Sequence, residues 1–212
     1  MASPVRRQYR SSLRAGQARQ TRQAIVSAAS RLFAEDGFGA TTVDAIADEA
    51  GVSRKTVFTA VGGKVELLKL AIDWAVAGDD EPVAVEDRPP VGRLLRQRDA
   101  AELLRAWAKV AAEIDDRVAS LYRAMEIAAE LDAAAQSLFE DAQAQRLQGA
   151  RIVVNRLVEL HALNAELTPD EATDIAWFFS DPALYDRFVH RRGWPLDRFA
   201  DWLADAMCRE LL

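Results

Sequence analysis

The 212-residue sequence predicts an all-α protein, and three observations carry that prediction. Alanine, the residue with the highest helix propensity, occurs 40 times, whereas glycine and proline, which interrupt helices, occur only 10 and 7 times. Apolar residues recur at the three- and four-residue spacing of amphipathic helices, without the alternation typical of strands. Polar residues mark helix starts, and the pairs Asp99 with Glu102 and Thr168 with Glu171 resemble capping boxes.

The composition also argues against several classes of protein. No stretch reaches the roughly 18 consecutive apolar residues of a membrane-spanning helix, and no secretory leader pattern is present. We therefore expect a cytoplasmic protein without a membrane partner. The one cysteine, Cys208, fits a small core residue better than a redox sensor. With only His161 and His190 besides, we expect no metal site and no cofactor.

Charge is distributed unevenly along the chain. Residues 1–64 contain 10 Lys or Arg and 5 Asp or Glu, whereas residues 65–212 contain 17 and 28. A basic head on an acidic body favours a nucleic-acid partner for the head. We interpret residues 1–20, which are basic and lack acids, as a flexible basic arm. Contact with DNA, an organelle transit peptide and a tail without specific contacts are the three interpretations open for this arm.

Residues 21–70 predict three short helices and the start of a fourth. Gly37 is placed to end the first helix, Thr42 to cap the second and Ser53 to cap the third. Gly51 allows a sharp turn between the second and third helices, which together make a helix-turn-helix. The second helix of such a unit enters the major groove of DNA with its N-terminal residues toward the bases.

The residues expected to contact DNA lie on this third helix and at two other helix starts. Arg54 and Lys55 can bind guanine, whereas Thr56 can bond to several bases. Thr42 and Lys64 stand where helix N-termini hold phosphates, which fix register rather than sequence. The expected DNA-binding set is Thr42, Ser53, Arg54, Lys55, Thr56, Phe58, Thr59 and Lys64.

The segment from Thr21 to about Leu70 resembles the DNA-binding domain of TetR-type transcriptional regulators. The resemblance rests on the stretch GFGATTVDAIADEAGVSRKTVFTAVGGKVELL, and the ending GWPLDRFADWLADAMCRELL is also similar to many family members. The family usually has tyrosine at the position of Phe58, where its hydroxyl meets a phosphate, so here we expect only packing on the DNA backbone. A three-helix bundle used for packing and a different helix-turn-helix family are the alternatives.

The resemblance implies a DNA-binding domain over residues 21–70 and an all-helical ligand-binding and dimerisation domain over residues 71–212. It implies a homodimer with its interface at about 168–212, and a small-molecule effector bound among the middle helices. Aromatic residues suit an interface, although about half of those near the C-terminus are expected in the subunit's own core, and residues of the pocket type are more often core than ligand wall. The candidate ligand-binding residues are Trp74, Trp107, Tyr122, Met125 and Phe139.

The function that the resemblance implies is a repressor that leaves its double-stranded DNA operator when a small-molecule ligand binds. A ligand that prefers a dimer with a different spacing of its recognition helices draws the population away from DNA. No pair of carboxylates or set of metal ligands stands at catalytic spacing, so we expect no enzymatic activity. A helical interaction protein, or an enzyme, with a non-functional DNA-binding head is the alternative.

Overall fold

The structure, a computed structural model, describes residues 4–81, 83 and 88–212. Every regular element in those residues is a helix, which confirms the predicted all-α class. None of these helices combines the length and apolarity needed to cross a membrane. The chain forms two compact units, one up to Asp73 and one from Trp74 to Leu212. The helices are α1 (Pro4–Ala40), α2 (Val43–Glu49), α3 (Arg54–Ala60), α4 (Lys64–Ala77), α5 (Pro89–Leu94), α6 (Ala100–Ala129), α7 (Ala133–Glu159), α8 (Pro169–Phe179), α9 (Pro182–Tyr185, continued by a π-helical turn at Asp186–His190) and α10 (Leu196–Leu211).

The N-terminal unit is built from α1, α2, α3 and the first part of α4. As predicted, Gly37 breaks the first helix, because its φ of 77° lies in the left-handed region that glycine adopts without strain. The buried Thr41 donates its hydroxyl to the Gly37 carbonyl oxygen at 2.8 Å and so holds the chain at that break. The largest side chains of this core, all fully buried, are Phe33, Ile25, Ile46, Leu67 and Leu68.

Most of the basic arm expected over residues 1–20 is helical, and its flexibility stays a prediction. The helix α1 already begins at Pro4, and it contains no further proline. Alanine, arginine and glutamine, which are frequent there, have high helix propensity, so this polar segment continues the helix. Residues 15–20 are all exposed, so this part of α1 buries no apolar face in the chain. Residues 1–3 lie outside the described residues.

The C-terminal unit packs α6, α7, α8 and α10 around a shared core. The long helix α7 begins after Asp132, which caps it by accepting the amide of Ala134 at 2.8 Å. The amide of Asn164 donates to the carbonyl oxygen of Leu211 at 2.8 Å, which ties the segment after α7 to the end of α10. Fully buried core residues of this unit include Leu103, Leu104, Leu157, Phe199 and Leu203.

The aromatic residues near the C-terminus mostly pack within their own unit. Phe188, Trp194 and Trp202 form one cluster, in which the Phe188 ring centroid is 4.7 Å from each tryptophan ring and the two tryptophan rings are 6.2 Å apart. Phe199 is fully buried beside Trp202, at a centroid distance of 6.0 Å. These rings therefore belong to the subunit core. Phe178 on α8 is the exception, since 55% of it is exposed.

The two predicted capping boxes have different outcomes. At α8, the Thr168 hydroxyl accepts the Glu171 amide at 3.3 Å, and the Glu171 carboxylate accepts the Thr168 amide at 2.8 Å, so this box is confirmed. At α6, Asp99 accepts the Glu102 amide at 2.9 Å, but the Glu102 carboxylate binds Arg105 at 3.1 Å instead. The box predicted at Asp99 is wrong, because the Glu102 carboxylate pairs with Arg105, three residues ahead on α6, and does not accept the Asp99 amide.

The helix α7 ends at a left-handed residue that is not glycine. His161 has a φ of 53°, and the following amide, of Ala162, donates to the Leu157 carbonyl oxygen at 3.1 Å. This hydrogen bond closes the turn with which many helices end. For a residue with a Cβ atom, the left-handed conformation costs about 1–2 kcal/mol.

Cys208 lies half-buried on α10, where it packs against the core of the C-terminal unit. Burial raises the pKa of its thiol above the ordinary value. The position matches the predicted role as a small core residue.

Candidate nucleic-acid interface

The turn between α2 and α3 is fixed by its backbone. Gly51 has a φ of 66°, and its amide donates to the Asp48 carbonyl oxygen at 3.1 Å. The next amide, of Val52, donates to the Ala47 carbonyl oxygen at 2.9 Å. These two bonds form the helix-ending motif that glycine favours. They end α2 sharply and direct the chain into α3, as predicted from the position of Gly51.

Two hydroxyl side chains cap these helices as predicted. The Thr42 hydroxyl accepts the amide of Ala45 at 3.0 Å, and the Ser53 hydroxyl accepts the amide of Thr56 at 3.1 Å. The hydroxyls of Ser53 and Thr56 are also 2.8 Å apart. These groups therefore satisfy helix N-termini, which otherwise leave amides without partners. Their role in contacting DNA stays a prediction.

One side of α3 is buried and the opposite side is exposed. Val57 has no exposed surface and anchors the helix to its unit. Arg54, Lys55 and Thr59 are exposed, and Phe58 is 46% exposed. Thr59 donates its hydroxyl to the Lys55 carbonyl oxygen at 2.9 Å. Four of the eight residues expected to contact DNA therefore share one accessible, basic face of α3.

Arg54, the first residue of α3, has two contacts that the sequence did not predict. Its Nη1 atom donates to Asp44 Oδ2 at 2.5 Å, and its Cζ atom lies 5.4 Å from the centre of the Phe58 ring. Asp44 lies in the first turn of α2, where a negative charge stabilises the helix. Only the approach of α2 to α3 reveals that this carboxylate also holds an arginine.

Lys64, at the start of α4, lies against α1. Its Nζ atom is 4.2 Å from the centre of the Phe38 ring and 3.5 Å from the Gly39 carbonyl oxygen. Partial burial lowers the pKa of this amine. The amide of Gly63 donates to Glu66 Oε2 at 2.9 Å, so a carboxylate already occupies the N-terminus of α4. A phosphate at this helix start would rely on the ammonium group of Lys64.

Two of the five predicted ligand-binding residues line one cleft in the C-terminal unit. A cleft of about 240 Å³ lies between α6, α7 and the segment from α9 onward, and Tyr122 and Phe139 line it. Met125 is fully buried and Trp107 is 9% exposed, so both belong to the core, whereas Trp74 is half-buried and does not line the cleft. Arginines and acids complete the lining; the charged residues are Arg123, Glu126, Asp181, Asp186, Arg187 and Arg191.

A buried charged cluster lies beside this cleft. Asp115 is 3% exposed, and its Oδ2 atom has no hydrogen-bond partner among the described residues. Burial raises the pKa of Asp115 well above the ordinary value, and the guanidinium of Arg146 opposes only part of that rise. Arg146 donates to the carbonyl oxygens of Trp177 at 2.9 Å and Ser180 at 3.2 Å, which fixes α7 to the end of α8. Sequence reasoning missed this cluster, because a charged residue on an amphipathic helix is usually solvated.

A metal centre is not formed by the part of the chain that the structure describes. No group of three histidine, cysteine, aspartate or glutamate side chains there could hold an ion.

The Tyr185 hydroxyl donates to Asp116 Oδ1 at 2.5 Å, and burial raises the pKa of that phenol. This hydrogen bond joins the buried Tyr185 of α9 to the exposed Asp116 of α6.

The helix-turn-helix lies in the stretch that matches a known family. Residues 25–71 match the family described as "Bacterial regulatory proteins, tetR family". The chain is 35% identical over 78 residues to the "Uncharacterized HTH-type transcriptional regulator TtgW" of Pseudomonas putida. That match covers 37% of this chain and 55% of the relative, so the chain spans about half the length of the curated protein.

Solved structures are similar over most of the chain. NalD, described as the secondary repressor of the MexAB-OprM multidrug efflux pump in Pseudomonas aeruginosa, has a TM-score of 0.66 at 20% identity, covering 92% of this chain and 98% of its own. The SmeT–triclosan complex has a TM-score of 0.67 at 20% identity, covering 91% of each chain. At these identities the likeness shows a common fold.

Proposed function

We propose that this chain is a DNA-binding transcriptional regulator of the tetR family, because residues 25–71 match the bacterial regulatory proteins of that family. It acts in the cytoplasm as a repressor, and a small-molecule ligand releases it from its operator. The observation that carries the proposal is the basic start of α3. Arg54 and Lys55 stand exposed there, directly after the turn fixed by Gly51 and the cap formed by Ser53.

The direction of α3 supports contact between this helix start and bases. The buried Val57 fixes which side of the helix faces the unit, so Arg54 and Lys55 point away from the core. The major groove of DNA, which is about 12 Å wide, admits an α-helix. Lys64, which packs against α1, binds a phosphate and therefore contributes equally to the affinity for all DNA sequences.

The test is a selection of bound duplexes from a random pool, followed by binding measurements over a range of salt concentrations. The expected result is one enriched sequence, with an affinity that falls steeply as salt rises because counterions are released from DNA. Arg54→Ala should weaken the preference at one base pair by about 1–3 kcal/mol, whereas Lys64→Ala should weaken binding to all duplexes. Arg105→Ala removes an equally exposed arginine from α6 and is the matched control. The proposal is refuted if the selection enriches no sequence from the random pool.

We place the homodimer interface at about residues 168–212. Phe178 supports this placement, since a phenylalanine that is 55% exposed on α8 loses contact with water when a second copy covers it. Phe178→Arg should therefore shift the protein toward monomers in analytical ultracentrifugation. Leu131→Arg is the matched control, because Leu131 is 78% exposed outside this region. Equal effects of the two variants would contradict the placement.

We place the effector in the cleft lined by Tyr122 and Phe139. Its volume, about 240 Å³, is small beside the roughly 300–1,000 Å³ of typical ligand pockets, which favours a small aromatic effector. Arg123 and Arg187 at its rim suit an acidic or hydrogen-bond-accepting group on that ring. Triclosan, the ligand named for SmeT, is a suitable first probe. Phe139→Ala should raise the concentration of triclosan needed to release the protein from the selected duplex, whereas Leu131→Ala should leave that concentration unchanged.

A further inference from the structure

The ion pair between Asp44 and Arg54 joins the first turns of α2 and α3. The Nη1 atom of Arg54 donates to Asp44 Oδ2 at 2.5 Å, although the residues are ten positions apart. The Arg54 side chain is 58% exposed and the Asp44 side chain is 59% exposed, so both stand at the surface. We propose that Asp44 is a positioning residue, which aims Arg54 at its base and so sets the sequence preference without itself contacting DNA.

The geometry of the guanidinium group supports this role. A guanidinium presents five N–H donors in one plane, and the bond to Asp44 uses a donor on Nη1. The remaining donors can reach the two acceptors, O6 and N7, on the major-groove edge of guanine. Phe58 limits the same side chain from another direction, since its ring centre is 5.4 Å from Arg54 Cζ. A side chain held in this way loses less conformational freedom when it meets a base.

A direct contact between Asp44 and a base is the competing explanation. A carboxylate can accept a hydrogen bond from the amino group of cytosine, and this contact would also affect sequence preference. The two explanations differ when Arg54 is removed. A positioning residue then has nothing left to position, whereas a residue that contacts a base keeps its own preference.

Asp44 also has a structural role that the test must separate. It lies in the first turn of α2, where a negative charge stabilises the helix. Asp48 provides the matched control, because it is an exposed acid on the same helix whose carboxylate contacts no cation among the described residues. Asp44→Ser is a second variant beside Asp44→Asn, since both remove the charge and keep a polar side chain in the first turn of α2.

The experiment rests on the proposed function and uses the full chain with the duplex selected by the wild type. Binding to this duplex and to all its single-base-pair variants is measured by competition for Asp44→Asn, Asp44→Ser, Arg54→Ala, Asp48→Asn and the double variant Asp44→Asn/Arg54→Ala. Arg54→Ala should reduce the preference at one base pair by about 5- to 150-fold. Both Asp44 variants should reduce the preference at that same base pair by about 1.5- to 5-fold, the range in which exposed ion pairs act. The double variant should match Arg54→Ala, and Asp48→Asn should match the wild type.

Three results would overturn the inference while leaving the proposed function intact. One is an Asp44→Asn variant that changes the affinity for all duplexes alike. Another is a change in preference at a base pair that Arg54→Ala does not affect. The third is a double variant whose preferences differ from those of Arg54→Ala. If the wild type selects no sequence, or Arg54→Ala changes no preference, the proposed function fails first and the inference fails with it.

Discussion

Gly51 offers the sharpest test of how the turn before α3 is held. Its φ of 66° lies in the left-handed region, and a Cβ atom added there would meet no atom within 4 Å. Gly51→Ala therefore creates no clash, and its whole cost is the backbone conformation, about 1–2 kcal/mol for a residue with a Cβ atom. Gly149 is also free of neighbours within 4 Å but is helical, so Gly149→Ala should instead stabilise α7 by about 0.8–1 kcal/mol.

The assay is urea denaturation of the full chain, followed by far-ultraviolet circular dichroism and by tryptophan fluorescence. All five tryptophans lie between positions 74 and 202, so fluorescence reports on the C-terminal unit. Gly149→Ala should move the fluorescence transition to higher urea. Gly51→Ala should lower the free energy of unfolding of the N-terminal unit, which circular dichroism detects. The reasoning is refuted if Gly51→Ala is as stable as the wild type, or if both variants shift in the same direction.

Three further predictions follow from groups described above. His161→Gly should raise the free energy of unfolding by about 1 kcal/mol in the fluorescence assay, because glycine relieves the left-handed strain at the end of α7; a loss of stability would contradict this. Burial raises the pKa of Asp115, so above about pH 4 the folded chain keeps a proton that the unfolded chain loses. The free energy of unfolding should therefore fall as the pH rises, by at most about 1.4 kcal/mol per pH unit. Asp115→Asn has no such proton, so its stability measured in urea should fall less steeply with pH, and equal slopes would count against the assignment. Phe58→Tyr adds a hydroxyl to an exposed ring on α3. It should raise the affinity for all duplexes by about 0.5–1.5 kcal/mol in competition binding, because the hydroxyl can bind a phosphate. A change in base preference would contradict the packing of this ring on the DNA backbone.

The local signals in the sequence predicted the helix-turn-helix well. Thr42, Gly51 and Ser53 act through bonds to residues within five positions of themselves, so their types and spacing are sufficient. The same reason explains the confirmed capping box at Thr168. A capping residue needs no knowledge of how the helices pack.

Contacts between helices could not be predicted in this way. The pairing of Asp44 with Arg54 depends on the angle at which α2 meets α3, and the position of Lys64 over Phe38 depends on the path of α4 past α1. Helical periodicity shows which side of a helix is buried but does not show what that side is buried against. Helical spacing consequently left Met125 a candidate for the pocket, although the core, in which it lies, is the commoner place for such a residue.

The half-buried position of Cys208 has a practical consequence. A thiol whose pKa is raised by burial carries little thiolate at neutral pH and so reacts slowly with maleimides. A second cysteine introduced by Asp48→Cys would stand exposed on α2 and react first. A fluorophore could therefore be attached beside the groove-facing helix of the otherwise native chain, giving a direct optical signal of duplex capture and release.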